Sequence, residues 1–306
     1  MITPNLDKLT SEALVFDKAF CNVAVCSPSR NSFMSGRRPH HTMVFDNSGT
    51  SFRQNGQGVS WITMPQHFKL NNFTTLGGGK TFHPGNPKNW DEPTSWSQDR
   101  PYYPFSYTTT KCQDPPIQPN PFNGSGQCTG EDTWCVLDID ETKFYDWGLA
   151  NDTIARLRYA ATLTLADGKT MKPFYIQSGF ARPHAPWHVP TRIWKMYDDV
   201  DIPIAKYRES IQHMAGVAWH QQGFFNSSDG TVWMPELDKP IPDNVQKEMR
   251  RAYYASVTWV DEQIGKILKE LDALSLTDST IVLFHGDHGK SMSGGVVRSR
   301  FCLFLF

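Results

Sequence analysis

No apolar run in this 306-residue chain approaches the ~20 consecutive residues that a bilayer-spanning helix requires, so no membrane span is expected. Charge of a dominant sign is missing as well: 30 Lys and Arg against 31 Asp and Glu leave a formal net charge of -1. Without a broadly basic face, nucleic-acid binding is excluded as a reading, and any anionic ligand must be held by local arginines, lysines and histidines. The opening Met1-Ile2-Thr3-Pro4-Asn5 has no signal-peptide character. Cysteine is sparse, six in all, and three of them, Cys112, Cys128 and Cys135, fall in a single stretch.

What is present alternates between helical and extended patterns. Pro4 to Leu14, opened by Thr3, reads as a short helix, and so does Thr63 to Leu70 with Pro65 in its first turn. From Asp243 to Leu274, Met249, Tyr253, Val257, Val260, Ile264, Ile267, Leu268 and Leu271 return to one face at helical steps. Phe174 to Phe180 reads as a buried strand and Ser279 to Phe284 as another. This alternation predicts an α/β fold with a large, mainly parallel sheet flanked by helices and with its sites at the strands' C-terminal ends. Residues 84–138 break the pattern, being rich in Pro, Asn, Gly, Trp and Tyr. So long an irregular segment is expected only if it is functional or stapled, and one disulfide among its three cysteines is expected in an oxidising compartment. Cys21 is read as a small buried packing residue. The tryptophans, among them Trp90, Trp96, Trp134, Trp147, Trp187 and Trp194, are expected mainly to anchor loops.

The chemistry-bearing residues come in short constellations. Cys26, Ser27, Pro28, Ser29 and Arg30 open an expected helix that Ser27 or Ser29 caps, with Asn31 to Gly36 continuing it. Residue 26 then sits at a helix N-terminus, where N–H groups and the dipole favour an anion, and Arg30 projects to the same end. Thr74 to Gly85 runs from a strand into Gly79-Lys80-Thr81-Phe82-His83, a glycine-rich approach followed by one fixed cation and one proton-transfer group. Ala181-Arg182-Pro183-His184-Ala185-Pro186-Trp187 follows one strand, and His285-Gly286-Asp287-His288-Gly289 ends another, placing Asp287 as an oxygen ligand for a hard divalent cation.

These motifs, in this order, resemble those of the type I sulfatases, and the resemblance spans roughly residues 3 to 289. Phrases such as Gly36-Arg37-Arg38-Pro39 and Lys80-Thr81-Phe82-His83-Pro84-Gly85 resemble the iduronate-2-sulfatase branch. The resemblance implies an alkaline-phosphatase-like sandwich and a hydrolase that removes 2-O-sulfate from uronic acids of heparan or dermatan sulfate. It implies that a formylglycine-generating enzyme oxidises Cys26 to an aldehyde whose hydrate is the nucleophile. Arg30 and Lys80 would hold the sulfate charge, His184 would protonate the leaving sugar oxygen, and His83 would act as base. Ca2+ would be held by Asp287 and His288 with residue 26 nearby. The resemblance also slightly favours a Cys112 to Cys135 pairing.

By the same resemblance, residues 1–295 form an incomplete catalytic domain with 84–138 as its insertion, lacking a first strand that carries two aspartates. Residues 296–306 are an atypical apolar tail, readable also as a terminal strand. Four sequons, at Asn72, Asn123, Asn151 and Asn226, favour a lysosomal or secreted glycoprotein. Two readings therefore stand: a glycosaminoglycan sulfatase, or a truncated non-catalytic fragment that at most binds sulfated glycans weakly.

Overall fold

Capping chemistry and apolar periodicity account for most helices of the computed structural model, which describes residues 1–54, 58–106, 134–204 and 242–289, and the backbone of strands at 225–226, 232–233 and 301–305. The helices are α1 (Pro4–Glu12), α2 (Cys26–Ser35), α3 (Pro39–Thr42), α4 (Met64–Leu70), α5 (Tyr145–Thr162), α6 (Thr191–Lys195) and α7 (Asp243–Ala273). The strands are β1 (Leu14–Ala19), β2 (Thr74–Gly79), β3 (Trp134–Leu137), β4 (Phe174–Gly179), β5 (Trp187–Pro190), β6 (Phe225–Asn226), β7 (Val232–Trp233), β8 (Leu283–His285) and β9 (Phe301–Leu305). At α4, Thr63 accepts from Gln66 N while the Gln66 side chain accepts from Thr63 N, a reciprocal capping box that fixes where the helix begins.

The α/β character is as expected. β2 and β4 pair in parallel from Thr74 opposite Phe174 to Gly79 opposite Gly179, and β3 and β5 form a second parallel pair, from Trp134 opposite Trp187 to Leu137 opposite Pro190. The strands are shared among separate ladders, because β9 enters antiparallel between β1 and β8, and β6 pairs antiparallel with β7. β4 is half-buried along its whole length, less covered than its apolar sequence suggests. The run expected as a strand from Ser279 begins instead as a tight turn over Thr277–Ser279, where Ser279 N donates to Leu276 O, and the extended part is displaced to Leu283–His285.

Helix α7 matches its periodicity closely, yet its most deeply buried positions include Ala252, Ala255 and Trp259, which the large-residue pattern passes over. Small side chains let the helix approach its neighbours, so that Trp259 packs into a core with Leu137, Phe144, Val189 and Ile193. α1 docks on the same helix through Asp261, which is wholly buried. Its carboxylate accepts from Asn5 N at 3.2 Å, Asn5 Nδ2 at 2.8 Å and Leu6 N at 2.7 Å, satisfying first-turn donors of α1. Gly265 makes the approach possible, since a Cβ there would stand 2.2 Å from Asn5 Oδ1. Asp261→Ala strands these donors and is expected to lower stability by about 3 kcal/mol, read as a shift of the urea midpoint.

In the irregular segment, Trp90 stacks on Tyr102 at 5.1 Å, Trp96 is buried, and Arg53 pairs with Asp91 at 2.8 Å. The expected staple therefore includes an aromatic cluster and an ion pair. Cys135 is fully buried and disulfide-bonded. Cys112 and Cys128 lie outside the described residues, and the choice of partner lies there with them. Cys21 is only half-buried, more open than a packing residue would be. Trp134 and Trp187 sit in paired strands within a buried cluster rather than in loops. No helix among the described residues is long and apolar enough to cross a membrane.

Candidate active site

Four chain segments meet where β2, β4 and β8 end. The first is the start of α2. The helix begins at Cys26 itself, with Val25 at the capping position and no side-chain cap, so Ser27 and Ser29 lie inside the first turn instead of capping it. Pro28 has no N–H and Ser29 N donates to Val25 O, so what the start of α2 offers residue 26 is chiefly the positive end of the helix dipole. Ser27 N is taken up by Asn47 Oδ1 at 2.9 Å, and Ser29 Oγ donates to the Asp287 carbonyl, which ties the helix to the loop after β8. The role of Ser29 was not legible from its own motif, because its acceptor lies 258 residues away.

The second segment leaves β2 at a glycine that the geometry requires. Gly79 has φ +76°, and a Cβ there would stand 2.2 Å from the Gly179 carbonyl oxygen. The tight crossing of these two strand ends directs Lys80, which is 1% exposed, to place Nζ 3.7 Å from Cys26 Sγ. Phe105 covers the ammonium with its ring centroid 5.6 Å away. Burial pulls the Lys80 pKa below its usual value, and Arg30 adds to that effect.

Arg30, expected to face the anion, is largely committed to the protein. Its Nε and Nη2 each lie 3.0 Å from Asp287 Oδ2, and its Nη1 donates to the carbonyls of Lys80 and Thr81. A guanidinium has five N–H groups, so this arrangement makes Arg30 chiefly a strut between β2 and β8 that also supplies fixed positive charge. Burial would raise the Asp287 carboxyl, but Arg30, His288 and Lys80 hold it well below the usual carboxylate range.

Cys26 lies at the centre. His288 Nε2 stands 3.3 Å from its sulfur, and His184 hydrogen-bonds the same atom. Burial opposes ionisation of the thiol, yet hydrogen bonds from His184 and His288 and the charge of Lys80 outweigh it and bring the pKa down to about 5. His83 belongs to the same electrostatic field: burial first, then Lys80 and Arg30, lower its pKa to about 4, so its ring is neutral at physiological pH.

The loop bearing His184 rests on a buried network. Asp146, at the start of α5, accepts from Ala181 N at 2.6 Å and faces the buried Arg182. Burial pushes the Asp146 carboxyl up, with Arg182 opposing. Nearby on β5, His188 is buried, and neither ring nitrogen has a hydrogen-bond partner among the described residues. Burial and then Arg182 lower its pKa to about 3. A histidine whose folded pKa lies below its unfolded value of ~6.5 contributes stability that is present above about pH 6.5 and lost as pH falls toward the folded value. His188→Leu is therefore expected to lose about 2 kcal/mol less than the parent between about pH 7 and about pH 5, measured by urea unfolding at each pH.

The structure thus brings together Cys26, Arg30, Lys80, His184, Asp287 and His288, with His83 within the same field. The donor chemistry fits a divalent cation: one ligand atom each from Cys26, Asp287 and His288 lie within 4.8 Å of one another.

A family model described as Sulfatase matches residues 1–300. Iduronate 2-sulfatase of Homo sapiens is 34% identical over 299 residues, covering 95% of this chain and 51% of that protein. The chain spans about half the length of the curated relatives it matches. A solved structure of a protein in complex with its substrate D-glucosamine-2-N,6-O-disulfate aligns with TM-score 0.66 at 17% identity, covering 100% of this chain and 66% of that one. Phosphonate monoester hydrolase of Agrobacterium radiobacter aligns with TM-score 0.65 at 18% identity, covering 99% of this chain and 63% of that one. These last two likenesses establish the alkaline-phosphatase-like fold alone.

Proposed function

Since this chain belongs to the sulfatase family, we propose that its cluster at residue 26 hydrolyses sulfate esters, removing 2-O-sulfate from uronic acid residues of heparan or dermatan sulfate. The observation that carries this reading is the position of Cys26: at an uncapped helix start, 3.7 Å from a buried lysine and 3.3 Å from a histidine. The substrate class follows the likeness to iduronate 2-sulfatase. Oxidation of Cys26 to formylglycine by a formylglycine-generating enzyme supplies a hydrated aldehyde, an oxygen nucleophile with a second hydroxyl to re-form the carbonyl.

The chain's own residues perform the rest. Lys80 Nζ binds the sulfate oxygens and, with the positive end of the α2 dipole, stabilises the charge that grows on them in the transition state. Phe105 excludes water from the ammonium, which strengthens that effect. Arg30 fixes Asp287 and the backbone at Lys80 in their relative positions. His184 holds the proton destined for the leaving sugar oxygen, and neutral His83 is positioned to accept one. A divalent cation would be held by Asp287 and residue 26 with His288 beside them, and would supply Lewis-acid neutralisation of sulfate oxygens. Calcium is the ion that suits oxygens at Asp287 and at a converted residue 26.

We assign the protein to the lysosome or the secreted fraction on its sequons. Asn72 is exposed, with positive φ in the turn after α4. Asn151 is half-buried within α5, its Nδ2 donating to Trp147 O at 2.8 Å. Glycopeptide mass spectrometry after secretory-pathway expression is expected to find a glycan on Asn72 and none on Asn151.

The catalytic reading is tested by coexpression with the formylglycine-generating enzyme. Trypsin releases the peptide from Ala19 to Arg30, whose mass reports conversion. Converted protein is expected to release sulfate from a 2-O-sulfated iduronate disaccharide and not from its 6-O-sulfated isomer. Converted protein that releases no sulfate from either would overturn the proposal.

A further inference from the structure

We propose that the unconverted chain carries a site for a thiophilic divalent cation, of which zinc is the type, built from Cys26, His288, Asp287 and His184. The ligand atoms of the first three residues already lie within 4.8 Å of one another. Cys26 Sγ and His288 Nε2 are 3.3 Å apart, close to the roughly 3.5 Å that separates a sulfur and a nitrogen sharing one tetrahedral zinc. His288 Nε2 and Asp287 Oδ2 are 3.7 Å apart, so one ion can span all three atoms.

The orientation of both imidazoles supports ligation. His288 Nδ1 lies 2.9 Å from the Gly289 carbonyl, and His184 Nδ1 is paired with the Ala185 carbonyl. A carbonyl oxygen only accepts, so each Nδ1 carries a hydrogen, and a cation that displaces the proton on the other ring nitrogen would take the Nε2 lone pair. For His288 that nitrogen faces the Cys26 sulfur, and His184 hydrogen-bonds the same sulfur. A ring held through one nitrogen by a backbone carbonyl, with the other presented to a metal, is the second-shell arrangement of zinc histidines.

Ligand softness then selects the ion. One thiolate, two imidazoles and one carboxylate suit zinc or cobalt, whereas calcium takes six to eight oxygens. Lys80 and Arg30 oppose any cation here, and the thiolate and Asp287 offset them, so an apparent Kd near micromolar is expected rather than the far tighter binding of an isolated structural site.

The zinc site stands on the geometry of the thiol form; the proposed function enters only through the control in which Cys26 has been converted. The experiment uses the full chain expressed without the formylglycine-generating enzyme and titrated with Co2+. A thiolate-to-cobalt charge-transfer band in the near ultraviolet, with the visible bands of tetrahedral cobalt, is expected to grow to one equivalent and to be displaced by Zn2+ but not by a large excess of Ca2+. Cys26→Ser is expected to abolish the charge-transfer band, and His288→Ala to weaken binding about 100-fold, with circular dichroism confirming that both variants are folded. Absence of the band in the parent, or its persistence in Cys26→Ser through another cysteine, overturns the proposal. Converted protein that lacks the band upholds it whether or not sulfate is released, and loss of sulfate release alone counts against the catalytic reading only.

Discussion

Cys26→Ser is expected to abolish multiple turnover of a 2-O-sulfated substrate, with kcat/KM falling by at least about 10⁴-fold and no more than one sulfate released per chain. The serine places an oxygen where the Cys26 sulfur stands, 3.7 Å from Lys80 Nζ and 3.3 Å from His288 Nε2, so the electrostatic setting persists. What it lacks is a second hydroxyl on the same carbon to expel the sulfate. The measurement is a single-turnover time course of sulfate release beside a steady-state assay. Steady turnover within about tenfold of the converted parent would contradict the assigned nucleophile.

Lys80→Met is expected to lower kcat by about 10² to 10³-fold with a smaller change in KM. The methionine preserves the packing against Phe105 and removes only the ammonium, which is 1% exposed in the parent. A buried charge aimed at the reacting centre acts mainly where charge develops, so the loss falls on kcat. The same variant has a second readout in the thiol form. Lys80 is among the groups that bring the Cys26 thiol down to about 5, so its removal moves the pH profile of alkylation at Cys26 upward. An unchanged profile together with unchanged kcat would show that the ammonium does not act on residue 26.

The site was legible where its chemistry is packed into short motifs. Cys26 and Arg30 share a helix turn, Gly79 and Lys80 adjoin, and Asp287 and His288 follow a strand, so each motif and its likeness to the sulfatase pattern brought the group to notice. Their convergence was not contained in any one motif. It depends on the parallel pairing of β2 with β4 and on hydrogen bonds from Ser29 and Arg30 to Asp287, contacts between residues hundreds of positions apart. The same limit hid the role of Arg30, because only the fold reveals that protein acceptors take up most of its guanidinium.

In the fold, α7 was readable over its full length, since 3.6-residue periodicity is a local signal. Asp261 was invisible to the same signal: a carboxylate on a helix reads as solvated until the first turn of α1 is placed against it. The place of β9 between β1 and β8 was equally hidden, for strand order follows from tertiary pairing and not from the apolar run itself.

The sulfur of Cys26 and its histidine neighbour His288 are 262 residues apart in the chain. Ribosomes add about 5 to 20 residues per second, so roughly 15 to 50 seconds separate the emergence of the thiol from that of the groups that enclose it. During that interval the segment from Ala24 to Arg30 lacks the partners that later enclose it; afterwards Cys26 is only 6% exposed. An enzyme that works on this side chain must therefore act during synthesis or on the unfolded chain. For a converting enzyme of that kind the rate of folding would set the fraction of molecules it modifies, and a variant that folds faster would mature less completely.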